Sequence, residues 1–202
     1  MIPTHALATD FVPSTLLSPD SFNSVPLTED YEIGGIDVDD ASEGNTFQDW
    51  KGVLANDVVT LFPLSNPSNS TAIALGQTAT EFTFTFDQSM RPVIAFSDGT
   101  DSFIRYFNSV NAQFEVLEVT GAVSPFVSLD DKRFYGVFTG TNDVLLFYIL
   151  DGDLCYRQQR ESYGTERVLY ENIPGAAARI AKAGMDNKYR MHVEVQLYDN
   201  FL

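Results

Sequence analysis

The sequence predicts a mainly β protein built of antiparallel sheets, and three observations carry that prediction. Thr80 to Phe86 alternates strictly, with Phe82, Phe84 and Phe86 on one face and Glu81, Thr83 and Thr85 on the other. Tyr189 to Tyr198 alternates as cleanly: Tyr189, Met191, Val193, Val195 and Leu197 against Arg190, His192, Glu194, Gln196 and Tyr198. The turn-forming pairs Asn56-Asp57, Asp98-Gly99 and Asp151-Gly152 separate short apolar runs, as hairpins require.

Taken in order, residues 1–30 contain Pro3, Pro13, Pro19 and Pro26 with many Ser and Thr and no periodicity. They predict an extended N-terminal arm. Its scattered apolar residues, Phe11, Val12, Leu16, Leu17 and Phe22, favour docking on a neighbour over free solvation. Residues 31–172 read as a β-rich domain. Strands are expected at Phe47–Leu54, Val58–Phe62, Thr80–Phe86, Pro92–Phe96, Phe103–Phe107, Phe114–Val119, Val144–Leu150, Leu154–Gln158 and Glu166–Tyr170. Residues 173–202 are expected to form one short helix, Ala176–Ala183, and then the alternating strand. The helix is framed by Pro174-Gly175 before it and Gly184 after it, and at about two turns it needs packing to persist.

An order of features repeats within the domain, over about 80–120 and 121–172. The first copy runs Phe84 to Asp87, Arg91, Val93 to Phe96, Asp98-Gly99, then Phe103 to Tyr106. The second runs Val127 to Asp130, Arg133, Val144 to Tyr148, Asp151-Gly152, then Leu154 to Arg157. Asp87 and Asp130 stand 43 residues apart, within the roughly 40–50 residues of a four-stranded propeller blade. An Asp at a strand end can cap the backbone of its own turn, which explains the residue without catalysis. Closed propellers hold about four to eight blades. Two legible blades per chain would therefore close only with other chains, for instance in a trimer.

Composition narrows the function classes. At 202 residues and 44% hydrophobic the chain can bury a sizeable core. Its formal net charge of −16 excludes nucleic-acid binding by bulk positive charge and adsorption to an anionic membrane. The imbalance is uneven, since the first 90 residues hold 13 acids and a single base, Lys51. One cysteine, Cys155, rules out an intrachain disulfide, and the two histidines, His5 and His192, offer no Cys/His metal cluster. No apolar run approaches the roughly 20 residues of a membrane-spanning helix. With no basic stretch leading an apolar one at the start, no secretory leader is expected.

The run Leu129-Asp130-Asp131-Lys132-Arg133, then Gly140 to Leu146, then Asp151-Gly152-Asp153-Leu154-Cys155-Tyr156-Arg157-Gln158-Gln159-Arg160 resembles a signature of structural proteins of tailed bacteriophages. The resemblance extends to Phe86–Pro92 and Tyr31–Ile36, so it covers roughly residues 31–172. It implies a component of the virion tail, at or near the distal tip, assembled in the host cytoplasm and supplying no catalytic residues. Asp130, Asp131, Arg133, Tyr156, Gln158 and Gln159 are then structural motif residues. Cys155 stands where the pattern leads one to expect an aromatic, and a small soft side chain suits a buried strand position.

Three side-chain groups invite chemistry. Asp37, Asp39, Asp40 and Glu43 form an acidic cluster whose spacing does not match an EF-hand, so a solvated loop is the simpler account. Asp130, Asp131 and Glu166 could pair as glycosidase carboxylates, but Asp130 and Asp131 adjoin Lys132 and Arg133, and local ion pairing explains them. Arg157 and Arg160 carry planar donors suited to carboxylates. Pairing them across subunits with Asp37, Asp39 and Asp40 would join the basic and acidic halves of neighbouring copies. The expected function is thus non-enzymatic. The chain would act as a tail structural protein, without cofactor or metal, in a homo-oligomer (trimer or hexamer) among other tail proteins. The alternative is a carbohydrate-binding or glycan-cleaving propeller-like module contacting a host glycan through Trp50, Tyr106 and Tyr148.

Overall fold

Alternating apolar residues and tight turns fold this chain into successive antiparallel meanders. The structure, a computed structural model, describes residues 30–36, 47–63, 66–87, 89–130, 143–173, 177–185 and 190–198. The expected arm at 1–30 lies outside them, save for Asp30. Sheet 1 comprises β1 (Asp30–Ile36), β2 (Phe47–Ala55), β3 (Val58–Pro63) and β4 (Thr71–Ala74). Sheet 2 comprises β5 (Glu81–Phe86), β6 (Pro92–Ser97), β7 (Ser102–Asn108) and β8 (Gln113–Val119). Sheet 3 comprises β9 (Val123–Leu129), β10 (Val144–Leu150), β11 (Asp153–Gln158) and β12 (Arg167–Tyr170). A two-stranded ribbon of β13 (Ala177–Met185) and β14 (Met191–Tyr198) follows. Strand order equals chain order in each sheet.

The two repeats legible in the sequence are sheets 2 and 3. The topology adds what the sequence did not show, a third four-stranded meander ahead of them and a half-sheet behind. The described residues thus hold three four-stranded sheets and a ribbon, one sheet more than the two counted in the sequence for the trimer arithmetic.

The sheets pack in chain order. First strands neighbour one another, β1 against β5, β5 against β9, β9 against β13. Both faces of sheet 2 are largely buried along β5, β6 and β7. Phe82, Phe84, Phe86, Ile94, Phe96 and Phe103 share one cluster with Leu54, Val59, Leu61 and Ile73 of sheet 1. Val93, Ala95, Ile104 and Tyr106 share the other with Val127, Leu129, Val144 and Leu146 of sheet 3. Burial on both faces explains why β6 reads Val-Ile-Ala-Phe with no polar alternation. Gly52 sets the approach of sheet 1 to sheet 2. A Cβ there would stand 2.8 Å from the Phe82 ring and 2.9 Å from that of Phe84. Leu145, Phe147, Ile149 and Leu154 on the far face of sheet 3 join the cluster that contains Ile180 and Ala183 of β13.

The predicted turns form. Asn56 and Asp57 both take positive φ (51° and 62°), and so do Asp151 and Gly152 (52° and 87°), as two-residue hairpin turns require. Asp57 also anchors the next segment, accepting the Ala79 N–H on Oδ1 at 3.0 Å and the Leu75 N–H on its carbonyl at 3.0 Å.

The helix expected at Ala176–Ala183 is instead β13. It pairs with β14 from Ala177↔Tyr198 to Met185↔Met191, with a register shift at Ala181. That bulge puts Ile180 opposite Val195 and Ala183 opposite Val193. Two residues three apart therefore share one face of a strand, which imitates helical spacing in the sequence. The high helix propensity of the alanines loses to pairing with β14 and packing on sheet 3.

Candidate functional site

The connections from first to second strand and from third to fourth strand emerge at one end of every meander. At that end sheets 2 and 3 enclose a cleft of about 350 Å³, lined among others by Asp87, Arg91, Asn108, Asp143, Gln159 and Arg160.

Asp87 ends β5 and is buried. Its Oδ1 accepts the backbone N–H groups of Ser89 (2.8 Å) and Arg91 (2.9 Å), and its Oδ2 accepts Arg91 Nε at 2.7 Å. The Asp87 N–H donates to the Arg91 carbonyl at 2.9 Å. This is the turn-capping role that the strand-end position predicts. Arg91 is held from a second side as well, its guanidinium lying 4.1 Å from the centre of the Phe107 ring.

Sheet 3 repeats the backbone bond with different side chains. The Asp130 N–H donates to the Asp143 carbonyl at 2.7 Å, so Asp143 takes the place that Arg91 holds in sheet 2. The sequence-level match of Arg91 with Arg133 is therefore not the topological one, and Asp131 and Arg133 lie outside the described residues. Asp143 is buried and accepts the Arg160 N–H on Oδ1 at 2.9 Å. Arg160 Nε stands 3.2 Å from Oδ2, close enough to pair but off the hydrogen-bond line. Burial pushes the Asp143 carboxyl above the usual carboxylate range, the Arg160 contacts oppose that, and the nearby Asp130 charge adds to it. Sequence reasoning missed Asp143. Its signal is positional, the residue that opens β10.

Beneath the cleft lies Tyr163. A single 3-10 turn, Gln159–Glu161, ends in two consecutive left-handed residues, Ser162 (φ 50°) and Tyr163 (φ 55°). The reversal drives the Tyr163 ring inward, edge-on to Tyr106 at 4.8 Å between centroids. It is fully buried and its hydroxyl has no hydrogen-bond partner among the described residues. Burial holds the phenol well above its ordinary pKa, and Asp143, Tyr106 and Asp87 push the same way.

The remaining sequence candidates separate. Arg160 lies on the cleft rim, its side chain 65% exposed, donating to Gln158 Oε1 at 3.0 Å through Nη2. Gln159 lines the cleft. Arg157 turns inward, donating Nε to the Tyr148 hydroxyl at 2.8 Å and Nη1 to the Tyr163 carbonyl at 3.3 Å, with Glu166 3.2 Å from Nη2. It serves its own subunit, whereas Arg160 faces outward. Tyr156 packs on Phe147, with Arg167 over its ring. Asp37, Asp39 and Asp40 lie outside the described residues, in the segment joining β1 to β2. Glu166 accepts the Tyr148 hydroxyl at 2.6 Å, a structural partner rather than half of a carboxylate pair. The described residues hold no group of three Asp, Glu, His or Cys side chains placed for a metal ion.

Of the aromatic residues considered for sugar stacking, Tyr106 and Tyr148 are not surface platforms, being 3% and 0% exposed, and Trp50 is half-buried, packed on Phe86 at 4.8 Å. Cys155 is buried, and burial pushes its thiol up to about 11, away from reactivity at neutral pH.

A second surface feature is apolar. A groove of about 280 Å³ runs between sheet 3 and β14, lined by Leu154, Tyr170, Ile173, Val193, Val195 and Leu197. Tyr170 of β12 and Leu197 of β14, both lining it, are exposed. No helix of the described residues is long and apolar enough to cross a membrane. No family model matches the chain, and no curated protein or solved structure matches it either.

Proposed function

We propose that this chain is a structural subunit of a tailed-phage virion, in the tail or at its tip, which works by assembly rather than catalysis. The observation that carries this reading is the exposed apolar groove between sheet 3 and the β13–β14 ribbon, where Tyr170 of β12 and Leu197 of β14 are exposed. Contiguous apolar surface of this kind marks protein–protein contact sites. The signature-like run from Leu129 to Arg160 points the same way. The polar cleft fits assembly better than turnover, because its carboxylates serve the fold: Asp87 is hydrogen-bonded to Arg91, and Asp143 Oδ1 accepts the Arg160 backbone N–H. A glycan-cleaving reading would need a carboxylate pair facing across a cleft, and Glu166 is tied instead to Tyr148 and Arg157.

Disruption of the gene tests this proposal. Negative-stain microscopy of the resulting lysate should show filled heads with absent or truncated tails, restored by supplying the chain in trans. Particles of normal morphology and full infectivity would overturn it.

A further inference from the structure

We infer that the polar cleft between sheets 2 and 3 binds a neutral sugar ring through its hydroxyls. The inference goes beyond the tail reading and stands apart from it. Charge, hydrogen-bonding capacity, size and rigidity carry it.

The charges in the cleft cancel. Asp87 and Asp143 supply two carboxylates, and Arg91 and Arg160 supply two guanidiniums. On a chain of net −16, an added anion meets no excess of positive charge there. An added cation meets carboxylates that already stand beside arginines. What remains is an alternation of ionised acceptors and planar donors. A sugar hydroxyl both donates and accepts, so neighbouring hydroxyls can bridge such a pair.

Part of that capacity is unused. Among the described residues the Arg91 guanidinium bonds through Nε alone, to Asp87. Asp143 Oδ2 makes no hydrogen bond and lies under the Arg160 guanidinium, whose side chain is 65% exposed. A slight turn of Arg160 opens that oxygen to a hydroxyl. Asp87 already accepts three hydrogen bonds, so the cleft is built to hold a sugar and not to cut it.

The cleft encloses about 350 Å³. That is the small end of the roughly 300–1,000 Å³ of ligand sites, and it suits a ring rather than a length of chain. Ser109 and Ser162 bring one hydroxyl from each sheet's connection, and exposed Val110 offers an apolar flank to the C–H face of the ring.

Both walls are fixed before a ligand arrives. Asn108 is buried, accepts the Val110 N–H on Oδ1 at 2.9 Å and donates Nδ2 to Glu115 Oε2 at 2.7 Å. On the other wall the Ser162 N–H donates to the Gln159 carbonyl at 2.7 Å, and the Tyr106 hydroxyl donates to the Ser162 carbonyl at 3.3 Å. Such preorganisation lowers the ordering cost of binding.

The test titrates the full chain, labelled with nitrogen-15, with glucose, galactose, mannose and N-acetylglucosamine. At least one should give saturable amide shifts at Ser109, Val110, Gln159 and Arg160, with a Kd of about 1–10 mM. Ser109→Trp, at an exposed turn position, should fill the cleft and weaken binding by at least about tenfold. Val168→Ser, on the exposed face of β12, should leave binding unchanged. Glucuronate should bind no more tightly than glucose. No saturable shift with any of the four sugars up to about 50 mM would overturn the inference. So would shifts that Ser109→Trp leaves intact, or glucuronate bound in the cleft where the neutral sugars are not. Either result leaves the tail reading to be decided by gene disruption.

Discussion

Two tyrosines, Tyr148 on β10 and Tyr163 in the connection from β11 to β12, illustrate how burial alone does not decide the worth of a polar atom. Tyr148 donates to Glu166 and accepts from Arg157. Tyr148→Phe strands both partners and should cost about 1–3 kcal/mol in urea unfolding. Tyr163 is as deeply buried, yet its hydroxyl has no partner among the described residues. Tyr163→Phe should leave stability unchanged or raise it by up to about 1 kcal/mol. A loss above about 2 kcal/mol would show that the hydroxyl is bonded after all. Gly52→Ala should cost about 1–3 kcal/mol by driving a methyl into the rings of Phe82 and Phe84. At this scale the sequence disclosed chemistry unevenly. Asp87 was legible, because a strand-end Asp followed by an Arg is a local pattern. Asp143 was not, since its role depends on meeting Asp130 across 131–142 and Arg160 beyond β11. Arg157 and Arg160 look equivalent in the sequence. Only the 3-10 turn between β11 and β12 separates the inward one from the outward one.

Among the elements, strands whose alternation or flanking turn is visible in the sequence were read correctly, and β13, whose period is broken by a bulge, was not. β5, β6, β7, β10, β11 and β14 carry their alternation or their turns in the sequence. β9 contains Pro125, which argues against a central strand. It is the first strand of its sheet, with β10 its one ladder partner, and the edge position accommodates the proline. β13 was read as a helix because the bulge at Ala181 and a run of alanines hide its period. Its attachment to the rest runs partly through Ser124, which takes a positive φ of 55° and accepts the Ile180 N–H at 2.9 Å. Ser124→Ala should loosen the ribbon without unfolding the sheets. Hydrogen exchange should then speed up in β13 and β14 and stay unchanged in β5 to β8. Uniform acceleration would mean that the ribbon and the sheets open together.

Across the whole molecule the excess of acid sets the pH dependence. Burial raises the carboxyls of Glu81 and Asp143 above their ordinary range, so the folded state binds those protons more tightly than the unfolded chain does. Their contribution is fully present below the unfolded values and is lost as pH rises through the folded ones. Self-repulsion at net −16 acts in the same sense. Asp98, Glu115 and Glu161 are held below their ordinary range by hydrogen bonds, to backbone N–H groups for Asp98, chiefly to Asn111 and Asn108 for Glu115, and to Arg167 for Glu161. Their contribution is lost only in stronger acid. Thermal stability should therefore rise from about pH 8 to about pH 5 and fall again below about pH 4. A midpoint that falls steadily from pH 8 downward would contradict this.

The architecture of four-stranded meanders with one half-sheet turns on a single functional claim, that the chain is built into a particle. Quantitative mass spectrometry of gradient-purified particles tests it most directly. The account predicts this chain at a fixed copy number per particle, co-migrating with the other tail proteins and retained through high-salt washing. A chain abundant in the lysate but absent from purified particles, or present in amounts that vary between preparations, would contradict it.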